Sequence, residues 1–77
     1  MNWQVDIELD VRGLTCPLPL LKTKQALNRL ETGKVVKVLA TDPGSERDFH
    51  VFTEQSDTEL LDFQIIDGEF CYCLKKG

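Results

Sequence analysis

The sequence predicts a two-layer α/β domain with the order βαβαββ, in which two helices cover one face of a four-stranded mixed sheet. The chain has 77 residues, about half the length of a typical domain, so we expect a single domain spanning residues 1–77. Strand-like and helix-like segments alternate first, and the final part is typical of a hairpin. Because βαβ crossovers are right-handed, both helices should lie on one face and leave the other uncovered.

A short turn joins the first predicted strand to the first helix. Between residues 3 and 11, apolar and polar residues alternate, as in a strand with one buried face. The apolar positions are Trp3, Val5, Ile7, Leu9 and Val11. Pro17 marks the first turn of a helix that runs to about Glu31 and stops before Gly33. A helical wheel places on the core-facing arc Thr23 together with Leu20, Ala26, Leu27 and Leu30.

The second strand, the second helix and a hairpin complete the predicted fold. Residues 34–41 are rich in Val and Leu and are predicted to form a strand. Asp42 is placed to cap the second helix and Pro43 to open it. The expected anchors of that helix are Phe49 and Phe52. Asp67-Gly68 is typical of a tight hairpin turn, and the strands that it joins are predicted at residues 60–66 and 70–75.

Charge is distributed unevenly along the chain. The formal net charge is −4, but residues 11–40 carry six basic side chains against the single acid Glu31, a local balance of +5. This excess favours an acidic partner, although basic side chains on solvated surfaces would give the same count. The pI of about 4.8 and the lack of a basic run with interleaved aromatics argue against direct nucleic-acid binding.

Location and redox state follow from simple features of the sequence. No stretch approaches the roughly 20 apolar residues of a membrane span, and the first residues lack a basic and then apolar leader. We therefore expect a cytoplasmic protein with no membrane partner. Three cysteines are an odd number, which favours reduced thiols over a disulfide framework.

The segment Cys16-Pro17-Leu18-Pro19 attracts chemical interest because it places a thiol where a helix begins. With Cys16 as N-cap, the helix dipole would favour the thiolate and lower the pKa of the thiol. Pro17 would then be the first helical residue and Pro19 the third, so one amide that normally bonds a capping side chain would be missing. We expect a sulfur free of hydrogen bonds that serves as a nucleophile. The alternative is a small buried cysteine before a helix.

The sequence resembles the TusA/SirA-like sulfur carrier family. The matching residues are 9–19, Lys24, Leu27, 41–44, Arg47 and Asp48, and the motif positions within the first segment are Asp10, Arg12, Gly13, Cys16, Pro17 and Pro19. The resemblance implies a two-layer fold like the C-terminal domain of translation initiation factor three. It also implies that Cys16 carries sulfur as a persulfide, taken from a cysteine desulfurase or rhodanese-like donor and passed to a relay protein. The receiving pathway stays open among tRNA 2-thiouridine formation, molybdenum-cofactor assembly and sulfur oxidation.

The wheel of the first helix also predicts a docking surface for those partners. Leu18 and Leu21 fall away from the core-facing arc, so they should be partly exposed. Lys22 and Arg29 lie on the same outer stripe, which suits a transient contact with an acidic rim and an apolar centre. In the alternative interpretation the leucines lean on neighbouring loops and the bases are only solvated. We expect the carrier to act as a monomer.

The sequence leaves two functions open besides that of a sulfur carrier. A stand-alone thiol redox enzyme would need a resolving cysteine or a general base beside Cys16, and the sequence identifies neither. A regulatory or RNA-binding module is suggested only by analogy of fold.

Cys71 and Cys73 lie two apart on a strand, too far for an unstrained disulfide. His50 is the only histidine, and we expect no metal site and no cofactor. Whether the chain is an enzyme in its own right stays open.

Overall fold

The computed structural model describes residues 4–77 and contains four strands and two helices in the predicted order. The strands are β1 (Ile7–Asp10), β2 (Val35–Ala40), β3 (Glu59–Ile66) and β4 (Glu69–Lys75). The helices are α1 (Leu18–Asn28) and α2 (Gly44–Glu54). Trp3, predicted as the first apolar position of the first strand, lies outside the described residues. The strand boundaries differ from the predicted ones mainly at β1, which is shorter.

The strands form one mixed sheet in the order β1-β2-β4-β3. β1 pairs parallel with β2, and β4 pairs antiparallel with both β2 and β3. The predicted hairpin joins β3 to β4, and both of its turn residues, Asp67 and Gly68, have positive φ values of 53° and 77°. Two successive left-handed residues are what a tight hairpin turn of this kind requires. The predicted fold class is confirmed.

The core lies between the sheet and the two helices. Val36 and Val38 of β2 alternate with residues of the other face and are fully buried, as are Tyr72 and Leu74 of β4. Phe49 of α2 is also fully buried and its ring stacks on that of Tyr72, with centroids 4.2 Å apart. The prediction that Phe49 anchors the second helix is confirmed. Phe52 packs against this core but stays partly exposed.

The buried stripe of α1 is centred differently from the predicted arc. Pro19, Thr23 and Leu27 are its buried residues, because a stripe at i, i+4 and i+8 faces the sheet directly. Leu20 and Leu30, predicted on the same core-facing arc as Thr23 and Leu27, are only partly buried. The Thr23 hydroxyl is accommodated in the core because it donates a hydrogen bond to the Pro19 carbonyl at 2.8 Å.

The ends of both helices correct two sequence predictions. α1 ends at Asn28 rather than near Glu31, because the next two amides, those of Arg29 and Leu30, bond carbonyls three residues back and close the last turn. At the start of α2, the Asp42 side chain forms no cap. Instead its backbone carbonyl accepts from the Ser45 amide at 3.0 Å, and Pro43 is the N-cap.

Candidate functional site

An ion pair shapes the loop that leads from β1 towards Cys16. The Arg12 guanidinium donates two hydrogen bonds to the Asp10 carboxylate, each 2.9 Å long, and the Arg12 amide donates a third at 3.0 Å. Arg12 also contacts Glu69 at 3.4 Å. The bonds from Arg12 lower the pKa of Asp10 to about 2. The motif residues Asp10 and Arg12 therefore stabilise this loop by bonding to each other. Neither forms a hydrogen bond with the Cys16 thiol.

Gly13 ties this loop to the loop between β2 and α2. Its φ is +82°, in the left-handed region that favours glycine. In this conformation its amide donates a hydrogen bond to the Thr41 hydroxyl at 2.9 Å. Thr41 directly precedes Asp42 and the start of α2. The bond therefore holds together the two loops from which both helices begin.

Cys16 lies one residue before the N-cap of α1, which corrects the predicted helix numbering. Pro17 is the N-cap, Leu18 the first helical residue and Pro19 the second. The peptide bond between Cys16 and Pro17 is cis. The Leu18 amide bonds the Thr15 carbonyl at 2.9 Å, so the last turn before the helix is closed by the backbone. The predicted N-cap role of Cys16, and with it the missing amide at the third helical position, is wrong.

The Cys16 thiol is exposed but has a specific partner. Its Sγ donates a hydrogen bond to Oδ2 of Asp48, a half-buried residue of α2, over 3.1 Å. This bond, partial desolvation and the negative charges of Asp48 and Asp42 raise the pKa of Cys16 above its ordinary value. The predicted low pKa is wrong, because the hydrogen bond to Asp48 of α2 stabilises the protonated thiol. The prediction of a sulfur free of hydrogen bonds is wrong for the same reason.

A second carboxylate lies close behind the first. Oδ2 of Asp42 is buried and has no hydrogen-bond partner among the described residues. Gly44 leaves room for it, since a Cβ on Gly44 would lie 3.1 Å from this oxygen and 4.0 Å from the Cβ of Cys16. Asp42 and Cys16 therefore border the same small space at the start of α2.

The predicted docking residues lie along α1, with Leu18, Leu21 and Lys22 in its first turns and Arg29 at its C-terminal end. Leu18 and Leu21 are 39% and 47% exposed, so their predicted exposure is confirmed, and Lys22 and Arg29 are exposed as well. A groove of about 510 Å³ separates the outer surfaces of the helices. Its lining includes Leu20, Lys24, Arg47, Asp48, Val51 and Phe52. The carboxylate that bonds Cys16 thus also borders this groove.

The remaining candidate residues form their contacts with residues other than Cys16. Cys71 and Cys73 are free thiols on β4, where they pair with Leu39 and Lys37 on the face of the sheet opposite the helices. The His50 ring on α2 bonds the Glu46 carbonyl and packs edge-on against Phe63. Within residues 4–77, no three His, Cys, Asp or Glu side chains come together as a metal site would need. In the same part of the chain, neither helix is long and apolar enough to cross a membrane.

Asp48 is the member of the site that sequence reasoning left without a role. It was part of the matched pattern, but its position 32 residues after Cys16 hides the contact between them. The sequence identifies no general base beside Cys16, whereas the structure places the Asp48 carboxylate within hydrogen-bonding distance of its thiol. The pairing of Asp42 and Asp48 around the start of α2 was the signal available in the sequence.

Comparison with known proteins extends over all of the elements described above. A family model described as sulfurtransferase TusA matches residues 7–76. The sulfur carrier protein TusA of Allochromatium vinosum is 46% identical over 72 residues, which cover 94% of this chain and 95% of that protein. TusA of Pseudomonas syringae is 40% identical over 75 residues, covering 97% and 89%. The crystal structure of a SirA-like protein from Desulfitobacterium hafniense matches with a TM-score of 0.81 and 29% identity, covering 92% of this chain and 97% of that one.

Proposed function

Because the chain belongs to the TusA family of sulfur carriers, we propose that it holds sulfane sulfur as a persulfide on Cys16 and passes it from one protein to another. The observation that carries this proposal is the position of Cys16. Its thiol is exposed at the start of α1, whereas Cys73 is buried and Cys71 is half-buried on the other side of the sheet. A carrier needs a sulfur that two successive partners can reach.

The sulfur–sulfur bonds made and broken in the relay involve only the cysteine sulfurs of the three proteins and the sulfur atom that is carried. During loading, Cys16 attacks the outer sulfur of a donor persulfide, the donor's sulfur–sulfur bond breaks, and the donor leaves as a thiol. During delivery, an acceptor thiol attacks the outer sulfur on Cys16 and releases the Cys16 thiol. One sulfur–sulfur bond is exchanged for another at each step, so the relay needs neither an oxidant nor a reductant.

The proposed donor is a cysteine desulfurase or a rhodanese-like protein, and the proposed acceptor is a relay protein such as those that supply tRNA 2-thiouridine formation. The partners would dock on the exposed outer surface of α1 next to Cys16. Leu18 and Leu21 provide its apolar centre, and Lys22 and Arg29 provide basic groups around it. A partner with an apolar patch and an acidic rim complements this surface.

Loading by a cysteine desulfurase and free cysteine tests the proposal. The intact mass of the chain should rise by one sulfur atom, and mild reduction should remove the increase. Cys16→Ser should abolish loading, whereas the double variant Cys71→Ser/Cys73→Ser, checked for folding by circular dichroism, should load like the unmodified chain. If the double variant failed to load while Cys16→Ser still accepted sulfur, the assignment of Cys16 would be wrong.

A further inference from the structure

The contact between Cys16 and Asp48 is unexpected for an exposed nucleophile. An exposed thiol needs no hydrogen bond to stay solvated, yet Sγ lies 3.1 Å from Oδ2 of a half-buried carboxylate. The bond joins the start of α1 to α2 across 32 positions of sequence. Asp48 is held in place because its neighbour Phe49 is fully buried against Tyr72. The fold therefore presents this carboxylate to the thiol.

The charges around the thiol all act in one direction. Asp48 and Asp42 are the charged groups that act on it, and both are negative. The nearest base along the chain, Arg12, is engaged by Asp10 and Glu69. A site that had only to supply thiolate would carry bases here, so the carboxylates need another explanation.

We propose that Asp48 is the proton acceptor of Cys16. In the unloaded carrier its carboxylate accepts a hydrogen bond from the thiol, and it takes up the thiol proton as sulfur is loaded. This inference rests on the proposed carrier role of Cys16. A carboxylate oxygen at 3.1 Å is within the range from which a general base takes a proton. Once a docked donor covers Cys16, bases from the buffer cannot reach the thiol, and the proton leaves through its existing hydrogen bond.

The loading step then balances without other reactants. Cys16 Sγ forms a bond to the outer sulfur of the donor persulfide, and the bond between the two donor sulfurs breaks. The donor sulfur leaves as a thiolate with the electron pair of that bond. The proton on Sγ moves to Oδ2 of Asp48 and passes from there to the departing thiolate. The products are the Cys16 persulfide, the donor thiol and the Asp48 carboxylate restored.

Two measurements on Asp48→Asn test the proposal, because they should change in opposite directions. The first is the rate at which iodoacetamide alkylates Cys16, followed by mass spectrometry of the peptide that contains it across a pH series. The substitution removes a negative charge and the strongest cause of the raised pKa, so the midpoint should move to lower pH and alkylation at neutral pH should become faster. The second is the rate of loading by a cysteine desulfurase, which should fall on the order of 100-fold, as expected for loss of a general base.

Two control variants separate the role of Asp48 from general effects of charge. Asp62→Asn removes the same charge on the opposite face of the sheet, beside Cys73, and should change neither rate. Asp42→Asn should shift the alkylation midpoint in the same direction but by less, since the Asp42 charge is the smallest cause.

The outcomes are distinguishable from failure of the carrier proposal itself. If the unmodified chain does not load on Cys16, the proposed function is wrong. If it loads and Asp48→Asn loads as fast or faster, Asp48 is not the proton acceptor. An alkylation midpoint that does not move in Asp48→Asn would show that the carboxylate does not act on the thiol, and would equally overturn the inference.

Discussion

The two helices begin in closely related ways but offer opposite electrostatic surroundings. Each has a proline as N-cap and no side-chain hydrogen bond at that position. α1 has no acidic residue in its first turn, whereas α2 has Glu46 there, is preceded by Asp42 and carries Asp48 in its second turn. Cys16 belongs to the first helix by sequence but takes its electrostatic surroundings from the second. The reactivity of a residue at a helix start is thus decided by what packs beside that start, as well as by the helix dipole.

The largest expected change in stability comes from removing the side chain that anchors α2 to the sheet. Phe49→Ala should lower the free energy of unfolding by about 4 kcal/mol, because it leaves a cavity under a fully buried ring. Leu27→Ala, the corresponding change in α1, should cost about 3 kcal/mol. Urea denaturation measures both. Val51→Ala, at a position 41% exposed on α2, serves as the control and should stay within about 0.5 kcal/mol. A loss below about 1 kcal/mol for Phe49→Ala would contradict the anchoring role.

Loss of a buried hydroxyl group should have an intermediate effect on stability, and the effect should differ between the two helices. The Ser45 hydroxyl of α2 bonds the Tyr72 hydroxyl of β4 at 2.8 Å, whereas the Thr23 hydroxyl of α1 bonds a carbonyl of its own helix. Ser45→Ala should cost about 1–3 kcal/mol, because the buried Tyr72 hydroxyl loses its partner. Thr23→Val should cost less than about 1 kcal/mol, because the Pro19 carbonyl keeps its helical amide. Equal losses in thermal or urea unfolding would show that the bond across to the sheet has no special weight.

The smallest effect on stability is expected from the basic residues of α1. Lys22→Glu with Arg29→Glu should change the free energy of unfolding by less than about 0.5 kcal/mol, since exposed helix charges contribute little. Sulfur transfer from the donor should nevertheless slow, most clearly at low ionic strength, where electrostatic steering is unscreened. Transfer rates from the desulfurase measured against salt concentration test this.

A pair with the same change of charge provides the control for steering. Lys34→Glu with Lys75→Glu alters exposed residues at the other end of β2 and β4, and should leave the low-salt transfer rate nearly unchanged. Equal slowing in both pairs would mean that net charge, rather than the surface of α1, governs the approach of partners.

The fold was largely predictable because its signals are local. The alternation of apolar residues in β1, the prolines before both helices and the Asp67-Gly68 turn each act within a few residues. The mixed sheet then follows from the right-handed crossover. The errors concern exact helix ends, where Asp42 looked like a cap and its backbone serves instead. The end of a helix depends on competition among several nearly equivalent amides and carbonyls, which the sequence does not rank.

The site was predictable only for the residue that performs the proposed chemistry. Cys16 is identified by its neighbours in the sequence, but the state of its thiol depends on Asp48, which reaches it only when α2 packs beside α1. The sequence predicted a lowered pKa from the helix dipole, whereas the structure shows a raised pKa caused by a contact between elements. The effect of a charge on a residue distant in sequence can be predicted only from the three-dimensional structure, because a few ångströms decide which charge dominates.

The position of β4 inside the sheet has a consequence for the order of folding. β4 follows all the other strands along the chain, yet it lies between β2 and β3. Until it inserts, β2 presents an open edge, and α2 lacks both the Tyr72 ring that stacks on Phe49 and the hydroxyl that bonds Ser45. During synthesis, Asp48, which accepts the hydrogen bond from Cys16, is therefore among the last residues to reach its final position. A nascent chain carries its thiol well before the carboxylate that restrains it is fixed in place.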